Sequence, residues 1–433
     1  MRRSGCLKFM ICTVAVVIAA VLWSPHAYAY EGLKGNVAAQ SKELDRSLYV
    51  DAAQYSNTPS TVDVVRIGLQ YGDGSIENAQ FINDSGSGYA FGEYDAERVF
   101  HEKWRTDQDN ILLTCAKRNE QWRLIVISVY DNEILYTASS DTEAIAFVPL
   151  GEGTGCSWFR GNLYCGGFEC TLDHDYLIRV VNVLCLEDYV KGVVPYEMSN
   201  NWPYEALRAQ AVCARTYVVY NQNKYEEYRF DLTDDTESQV YRGILGANEL
   251  TDQAVDATAG EYVRYHGEIC EIYYFTSDGG ASEDGRYMFE SDRPYLLGKV
   301  DPFEQTVDYS YRDWEEWLTG ENLGWLLRGK GYDVADILRV EPEYSMLGNA
   351  VAVNLYDTIG RHVRITGRDA YTFLLLNNCR YSLERAGEYF WFHGSGWGHN
   401  CGLSQWGARA MASVYGYDYQ DIIRFYFTGA YAA

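Results

Sequence analysis

The chain predicts an α+β fold, a helix-bearing core with β-rich segments around it and a β-rich N-terminal domain in front. Three observations carry this. First, short runs rich in β-branched and aromatic residues, VVRIGL from Val64, ILLTCAK from Ile111, WRLIVISVY from Trp122 and AIAFVPL from Ala144, alternate with turn clusters such as Gly72-Asp73-Gly74 and Ser85-Gly86-Ser87-Gly88. Second, residues 203–220 contain no glycine and carry Ala206, Ala209, Ala211 and Ala214 beside Leu207 and Val218, the composition and spacing of a buried helix. Third, the C-terminal part mixes both types: helices over 250–259, 321–328, 368–376 and 404–414, and strands in VAVNLYD and RHVRITG. At 47% hydrophobic residues over 433 positions the chain fills more than one core, and two or more domains are expected.

Residues 1–29 read as a secretory signal. Arg2, Arg3 and Lys8 form its basic start, 9–23 are apolar, and Ala27-Tyr28-Ala29 offers a small-x-small cleavage site. The apolar run, about fifteen residues, is short for a spanning helix. Cleavage after Ala29 is expected, an uncleaved signal being the alternative and the sole membrane anchor. Residues 30–61 read as a polar spacer, 62–155 as the β-rich domain and 156–433 as the helix-bearing one. The β-rich domain shows no convergent pattern of acids, histidines or nucleophiles, so ligand binding and structural bracing both stay open for it.

The chain has 36 basic and 61 acidic residues, a net charge of −25. Losing the signal, which holds three bases and no acid, leaves it more acidic still. Such a surface is repelled by nucleic-acid phosphates and anionic lipid, so neither is an expected partner. Of eleven cysteines, Cys6 and Cys12 lie in the signal; the odd remainder has no CxxC spacing, so no zinc framework is expected. Cys156, Cys165 and Cys170 are clustered and could include a disulfide, whereas Cys213 and Cys270 read as core fillers; no pairing follows from the sequence.

The stretch 186–221, LEDYVKGVVPYEMSNNWPYEALRAQAVCARTYVVYN, organises the rest. It sets Glu197 in a short polar connection before the 203–220 helix, with strands leading into it from Trp158. Asn200 and Asn201 can cap the helix, Pro203 opens it, and Glu205 sits where its dipole favours an anion. A carboxylate beside Val193, Val194, Pro195 and Met198 is partly desolvated, which raises its pKa and suits a general acid. Capping or salt-bridging by Glu197 is the plain alternative, since glutamates at helix starts are common.

Further on, FDLTDDTESQVYRG (230–243) is acidic, and Asp234, Asp235 and Glu237 suit a hard cation less well than a solvated loop does. EYVRYHGEICEIYYF reads as a hairpin turning at His266-Gly267-Glu268 and delivering the small-residue loop Thr276-Ser277-Asp278-Gly279-Gly280. His393-Gly394-Ser395-Gly396-Trp397-Gly398-His399-Asn400-Cys401-Gly402 is a glycine-rich loop feeding the 404–414 helix, which would turn His399, Gln405 and Trp406 toward a shared cleft. It lacks a P-loop lysine and the order of a dinucleotide fingerprint. The plain alternative is that both histidines only tie the loop down.

The runs VVNVLCLEDYVKGVVPYEM, WPYEALRAQAVCARTYVVYN, SQVYRG, TSDGG and HGSGWGHNCGLSQWGARAMA, in this order, resemble the stage II sporulation protein D and amidase-enhancer family over roughly residues 161–429. The resemblance implies an extracytoplasmic peptidoglycan lytic transglycosylase, with Glu197 of VVPYEM as acid and base and the 156–433 unit as its catalytic domain. It further implies glycan strands, stripped of stem peptides in the sporulation relatives, as substrate. A non-catalytic enhancer that binds peptidoglycan beside a cell-wall amidase is the alternative. Some relatives carry cysteine or histidine near 231–239 that can hold a metal; this chain has neither there, and no metal or cofactor is expected. Asp278 stands where Ser or Gly is usual, and Asn400 and Cys401 replace small residues. Candidate glycan-binding residues are Gln210, Arg215, Gln239, Ser277, His399 and Gln405, with Trp397 and Trp406 as stacking platforms. Gln210 and Arg215 lie five apart, about 140° around a helix, so one of them is structural.

Overall fold

The computed structural model describes residue 44 and residues 62–118, 120–151, 155–309 and 312–433. The expected signal (1–29) and, Leu44 apart, the expected spacer (30–61) lie outside them. The fold is mixed α+β. Eight α-helices lie among the described residues: α1 (Leu186–Glu197), α2 (Tyr204–Tyr220), α3 (Glu249–Asp256), α4 (Gly285–Met288), α5 (Gly320–Gly329), α6 (Asp369–Thr372), α7 (Gln405–Tyr415) and α8 (Tyr419–Tyr426).

Two large sheets occupy the N-terminal part. One orders its strands Leu232–Thr233, Val64–Gln70, Ile178–Cys185, Gly167–Leu172, Ile145–Pro149, Tyr89–Tyr94 and Phe100–Thr106. The other runs Asn162–Cys165, Cys156–Phe159, Asn78–Asn83, Asn110–Arg118, Gln121–Ser128 and Ile134–Thr137. Phe81 of the second sheet meets Phe147 and Phe168 of the first at centroid distances of 4.9 and 4.7 Å, so the sheets pack face to face on an aromatic core. The expected division near residue 155 falls between strands of the same two sheets: Ile178–Cys185 pairs with Val64–Gln70, and Cys156–Phe159 with Asn78–Asn83. Strands from 156–185 thereby cover edges that the earlier strands would leave open.

The helix expected over 203–220 is α2, and it is buried almost all round. Ala206, Leu207, Ala209, Ala211, Ala214 and Val218 are all fully buried. Small side chains on every face let α1, α3, α7 and α8 pack directly on it. Its start differs from expectation. Pro203 is the capping residue and no side chain caps the helix; Asn200 instead donates to the Gly246 carbonyl (3.0 Å), and Asn201 accepts from Ser199 (2.8 Å). Glu205 accepts the Tyr419 amide at the head of α8 (2.9 Å).

A larger difference concerns 186–197, read from sequence as strand running into a polar connection and here the twelve-residue helix α1. Val190, Val193 and Val194 give it a β-like composition, and Pro195 in its last turn gives up a hydrogen bond to the preceding turn and crowds the carbonyl there. Packing decides: Gly192 lies against the Tyr241 ring with no space for a Cβ, and Tyr189, Val190, Val193 and Val194 are fully buried. Glu187 and Asp188 in its first turn suit the helix dipole.

One ion pair fastens α1 to α2. Arg215, fully buried, donates from Nε and Nη2 to the two carboxylate oxygens of Glu187 (2.8 and 2.7 Å), from Nη2 to the Val255 carbonyl (3.3 Å) and from Nη1 to the Glu261 carbonyl (3.2 Å). Arg215→Ala would strand a partly buried carboxylate and two carbonyls, and is expected to lower unfolding free energy by about 3 kcal/mol. Urea denaturation checks this; a loss within 0.5 kcal/mol or so, the range of ordinary surface substitutions, would contradict it.

Candidate active site

Glu197 is the last residue of α1, and Met198 after it turns to extended backbone. The helix therefore presents its partially negative end to this carboxylate, which disfavours the anion. Burial acts the same way and pushes the Glu197 pKa above the ordinary glutamate range; hydrogen bonds from Val240, Gln405 and Tyr274 pull back. Val240 N–H donates to Oε1 at 2.9 Å and Gln405 Nε2 to Oε2 at 3.3 Å. One side of the carboxyl opens on a cleft of about 490 Å³, lined also by Tyr217, Tyr273, Tyr274, Trp397 and His399. Lys224, Glu237 and Arg368 stand along the same cleft.

The structure brings four of the sequence-predicted residues together. Gln405 opens α7, whose Ser404 accepts the Gly407 amide as cap; Gln405 Nε2 reaches both Glu197 and Gln210 Oε1 (3.4 Å). Gln239 donates to the Tyr274 hydroxyl at 2.8 Å and accepts from Tyr189 at 3.2 Å. Glu197, Gln210, Gln239 and Gln405 thus form one polar cluster between α1, α2 and α7. Arg215 is not in it: it points from α2 toward Glu187 and does not line the cleft.

His399 lines the cleft, yet both ring nitrogens are engaged with backbone. Nε2 lies 2.9 Å from the Tyr274 carbonyl, and Nδ1 accepts the Cys401 amide at 3.2 Å, which fixes a neutral ring with its proton on Nε2. Burial and the nearby Arg368 push its pKa down to about 3, so it stays neutral across the physiological range. Its loop lies flat on 277–279, where Ser277 and Trp397 exchange backbone hydrogen bonds (3.0 and 2.8 Å) and Gly396, at φ +89°, has no room for a Cβ. Trp397 is 43% exposed at the cleft. Trp406 instead stacks on Tyr309 at 4.3 Å and meets Trp202 edge-on at 4.8 Å.

Ser277 lies behind the cleft wall, its hydroxyl on Glu304 Oε1 (2.5 Å). Glu304 is a buried hub that also accepts from Ser404, Tyr309 and the amides of Asp278 and Gly279. Asp278, Asp301 and Glu304 each offer an oxygen within 4.8 Å of the others, the closest approach to a cation-binding group among the described residues. Asp301 is filled by two amides and Tyr426, and Asp278 Oδ1 by Gly280 N–H; of the three carboxylates only Asp278 Oδ2 lacks a hydrogen-bond partner. Burial and Glu304 push the Asp278 pKa well up. In the acidic 230–243 segment Asp235 is occupied by Thr233 and the Glu237 amide (2.9 and 3.0 Å).

Two contributors escaped the sequence reading. The Val240 amide is a backbone donor with no side-chain signature. Tyr274 is one of 38 tyrosines, and only its place before the Thr276 loop marked it.

No helix among the described residues is long and apolar enough to cross a membrane. The family described as Stage II sporulation protein matches residues 175–265, which contain α1, α2 and Val240. An uncharacterized protein of Brachyspira hyodysenteriae is 34% identical over 282 residues, 62% of this chain and 72% of that protein. The Stage II sporulation protein D of Bacillus subtilis is 30% identical over 263 residues, 56% of this chain and 73% of that protein. The Amidase enhancer of the same organism is 26% identical over 286 residues, 55% of this chain but only 39% of that protein. With its matched segment centred on α1 and α2 and nearly three quarters of a sporulation protein covered, the chain belongs to the stage II sporulation protein D family.

Proposed function

We propose that the protein is an exported peptidoglycan lytic transglycosylase that cuts glycan strands between muramyl and glucosaminyl sugars and leaves an anhydro-muramyl end. The observation that carries this reading is Glu197: a carboxyl desolvated at a helix C-terminus, opening on a cleft, with donors ready for its ionised form.

Glu197 first gives its proton to the glycosidic oxygen as the bond to the muramyl anomeric carbon breaks. The carboxylate left behind is held by Val240 N–H and Gln405 Nε2, while the negative end of α1 favours the developing oxocarbenium charge. The muramyl C6 hydroxyl then attacks that carbon, passing its proton to Glu197 and closing the anhydro ring. Neither water nor a second carboxylate enters. Trp397 offers a sugar-stacking face, and neutral His399 positions Tyr274 through its backbone.

The relative named Amidase enhancer supports a second reading, in which the cleft binds glycan and assists a cell-wall amidase without cutting.

Muropeptide mass spectrometry after digestion of intact and amidase-treated peptidoglycan separates these readings. Anhydro-muramyl ends are expected from the wild type, with the rate falling by about 10²–10⁴ in Glu197→Gln. Reducing ends would mean hydrolysis and point to Glu237, the cleft's exposed carboxylate, as a second participant. Binding without cleavage of either substrate would leave the enhancer reading.

The pH dependence follows from the raised pKa. Glu197 must carry its proton, so kcat/KM is expected to fall as pH rises through a value above the ordinary glutamate range. Gln405 stabilises the ionised form, so Gln405→Ala is expected to move this limb to higher pH; a shift to lower pH would contradict the assignment.

A further inference from the structure

The strands Cys156–Phe159 and Asn162–Cys165 form a hairpin that turns through Arg160 and Gly161, both with positive φ (49° and 83°), as a type I′ turn requires. Its register sets Cys165 directly opposite Cys156. Facing residues in an antiparallel pair alternate between hydrogen-bonded and non-hydrogen-bonded positions. The Gly166 amide donates to the Gly155 carbonyl (3.1 Å) just outside the cysteines, which makes theirs a non-hydrogen-bonded position. There Cα atoms approach to about 4.5 Å with side chains on one face, inside the span of about 4.4–6.8 Å that a disulfide bridges. Cys170 has no such neighbour. It is fully buried in the other sheet, opposite Val180 and Ile145.

The geometry points to Cys156 and Cys165 as a disulfide-forming pair, oxidised by exchange with a small-molecule or protein disulfide. The Cys156 thiolate attacks one donor sulfur and releases the first donor thiol. Cys165 then loses its proton and displaces the second, so two protein thiols are oxidised as the donor disulfide is reduced to two thiols. The order follows from exposure: Cys156 is partly exposed and Cys165 buried. The Cys165 thiol beside Cys156 draws its pKa down, and the same contact together with burial raises that of Cys165.

The bridge would brace the segment behind the active-site carboxyl. The Leu163 carbonyl accepts the Ile244 amide (2.8 Å), and Asn182 links the Cys165 carbonyl (3.0 Å) to the Tyr241 hydroxyl (2.7 Å). Residues 241–244 follow directly on Val240, whose amide holds Glu197. None of this depends on the glycan-cutting reading.

The test is to incubate the full chain, purified reduced, with oxidised glutathione, block free thiols by alkylation, and map the digest without reduction. Trypsin cuts after Arg160, so the expected product joins the peptide ending there to the one beginning at Gly161, lighter than their thiol forms by two hydrogens and separated by dithiothreitol. Because the second peptide also holds Cys170, fragment ions between Cys165 and Cys170 fix the position. Oxidation is also expected to raise Tm in the wild type and to leave it unchanged in Cys156→Ser. Alkylation of both Cys156 and Cys165 after oxidation, or a bridge placed at Cys170, would overturn the proposal; this wild-type map decides even where the variant does not fold.

Discussion

The position of the Glu197 carboxyl depends on a fully buried guanidinium. Arg215 must find partners for its donors inside the protein, because an unpaired buried cation costs several kcal/mol. It finds them on three elements: Glu187 in the first turn of α1, the Val255 carbonyl of α3, and the Glu261 carbonyl beyond it. Those contacts leave α1 one orientation on α2. Ten residues separate Glu187 from Glu197, about 15 Å of helix, so fixing the first turn aims the last. The worth of such a pair lies more in placement than in net stability, since desolvation cancels much of its Coulomb gain.

Two glutamates, Glu304 buried and Glu197 half-buried at the cleft, show how environment divides labour. Glu304 accepts hydrogen bonds from two serines, a tyrosine and two amides, and these tie the 277–279 loop to the head of α7. Glu197 has few donors and faces the wrong end of a helix dipole, conditions that favour its neutral form while leaving its anion supported by Val240 and Gln405. The first carboxylate suits scaffolding and the second proton transfer. They connect through α7: Ser404, which Glu304 holds, immediately precedes Gln405, which holds Glu197.

What the sequence made legible was local. Helix α2 announced itself through its alanines and lack of glycine, α7 through Ser404 and the glycine loop ahead of it, and the α+β class through alternating strand and helix patterns. Helix α1 was hidden because valines, Gly192 and Pro195 argue against helix one residue at a time, whereas the contact with Tyr241 that favours it spans some fifty positions. The strand pairings across residue 155 were illegible for the same reason, being long-range. At the site, the family motif pointed to Glu197 and side-chain chemistry to Gln405, but nothing in a sequence marks a backbone donor such as Val240. Gln210 and Arg215, five apart on α2, point to different partners, Gln405 and Glu187, and no sequence rule says which of the two would lie nearer Glu197.

The departures from the family pattern bear on chemistry through their location. Asn400 sits at φ +65°, a left-handed conformation that asparagine tolerates better than most residues, and its amide donates to the Ala281 carbonyl (2.9 Å). Cys401 is fully buried, and Asp278 faces Glu304 rather than the cleft. All three therefore act on the far side of the loop from Glu197. Their substitutions remodel how the loop is anchored, exchanging small residues for a side-chain hydrogen bond, a core thiol and an extra buried carboxyl. A change in this scaffold would reach the proposed reaction only by moving Val240, Gln405 or Tyr274, so the altered motif positions are no argument against the proposed proton transfer at Glu197.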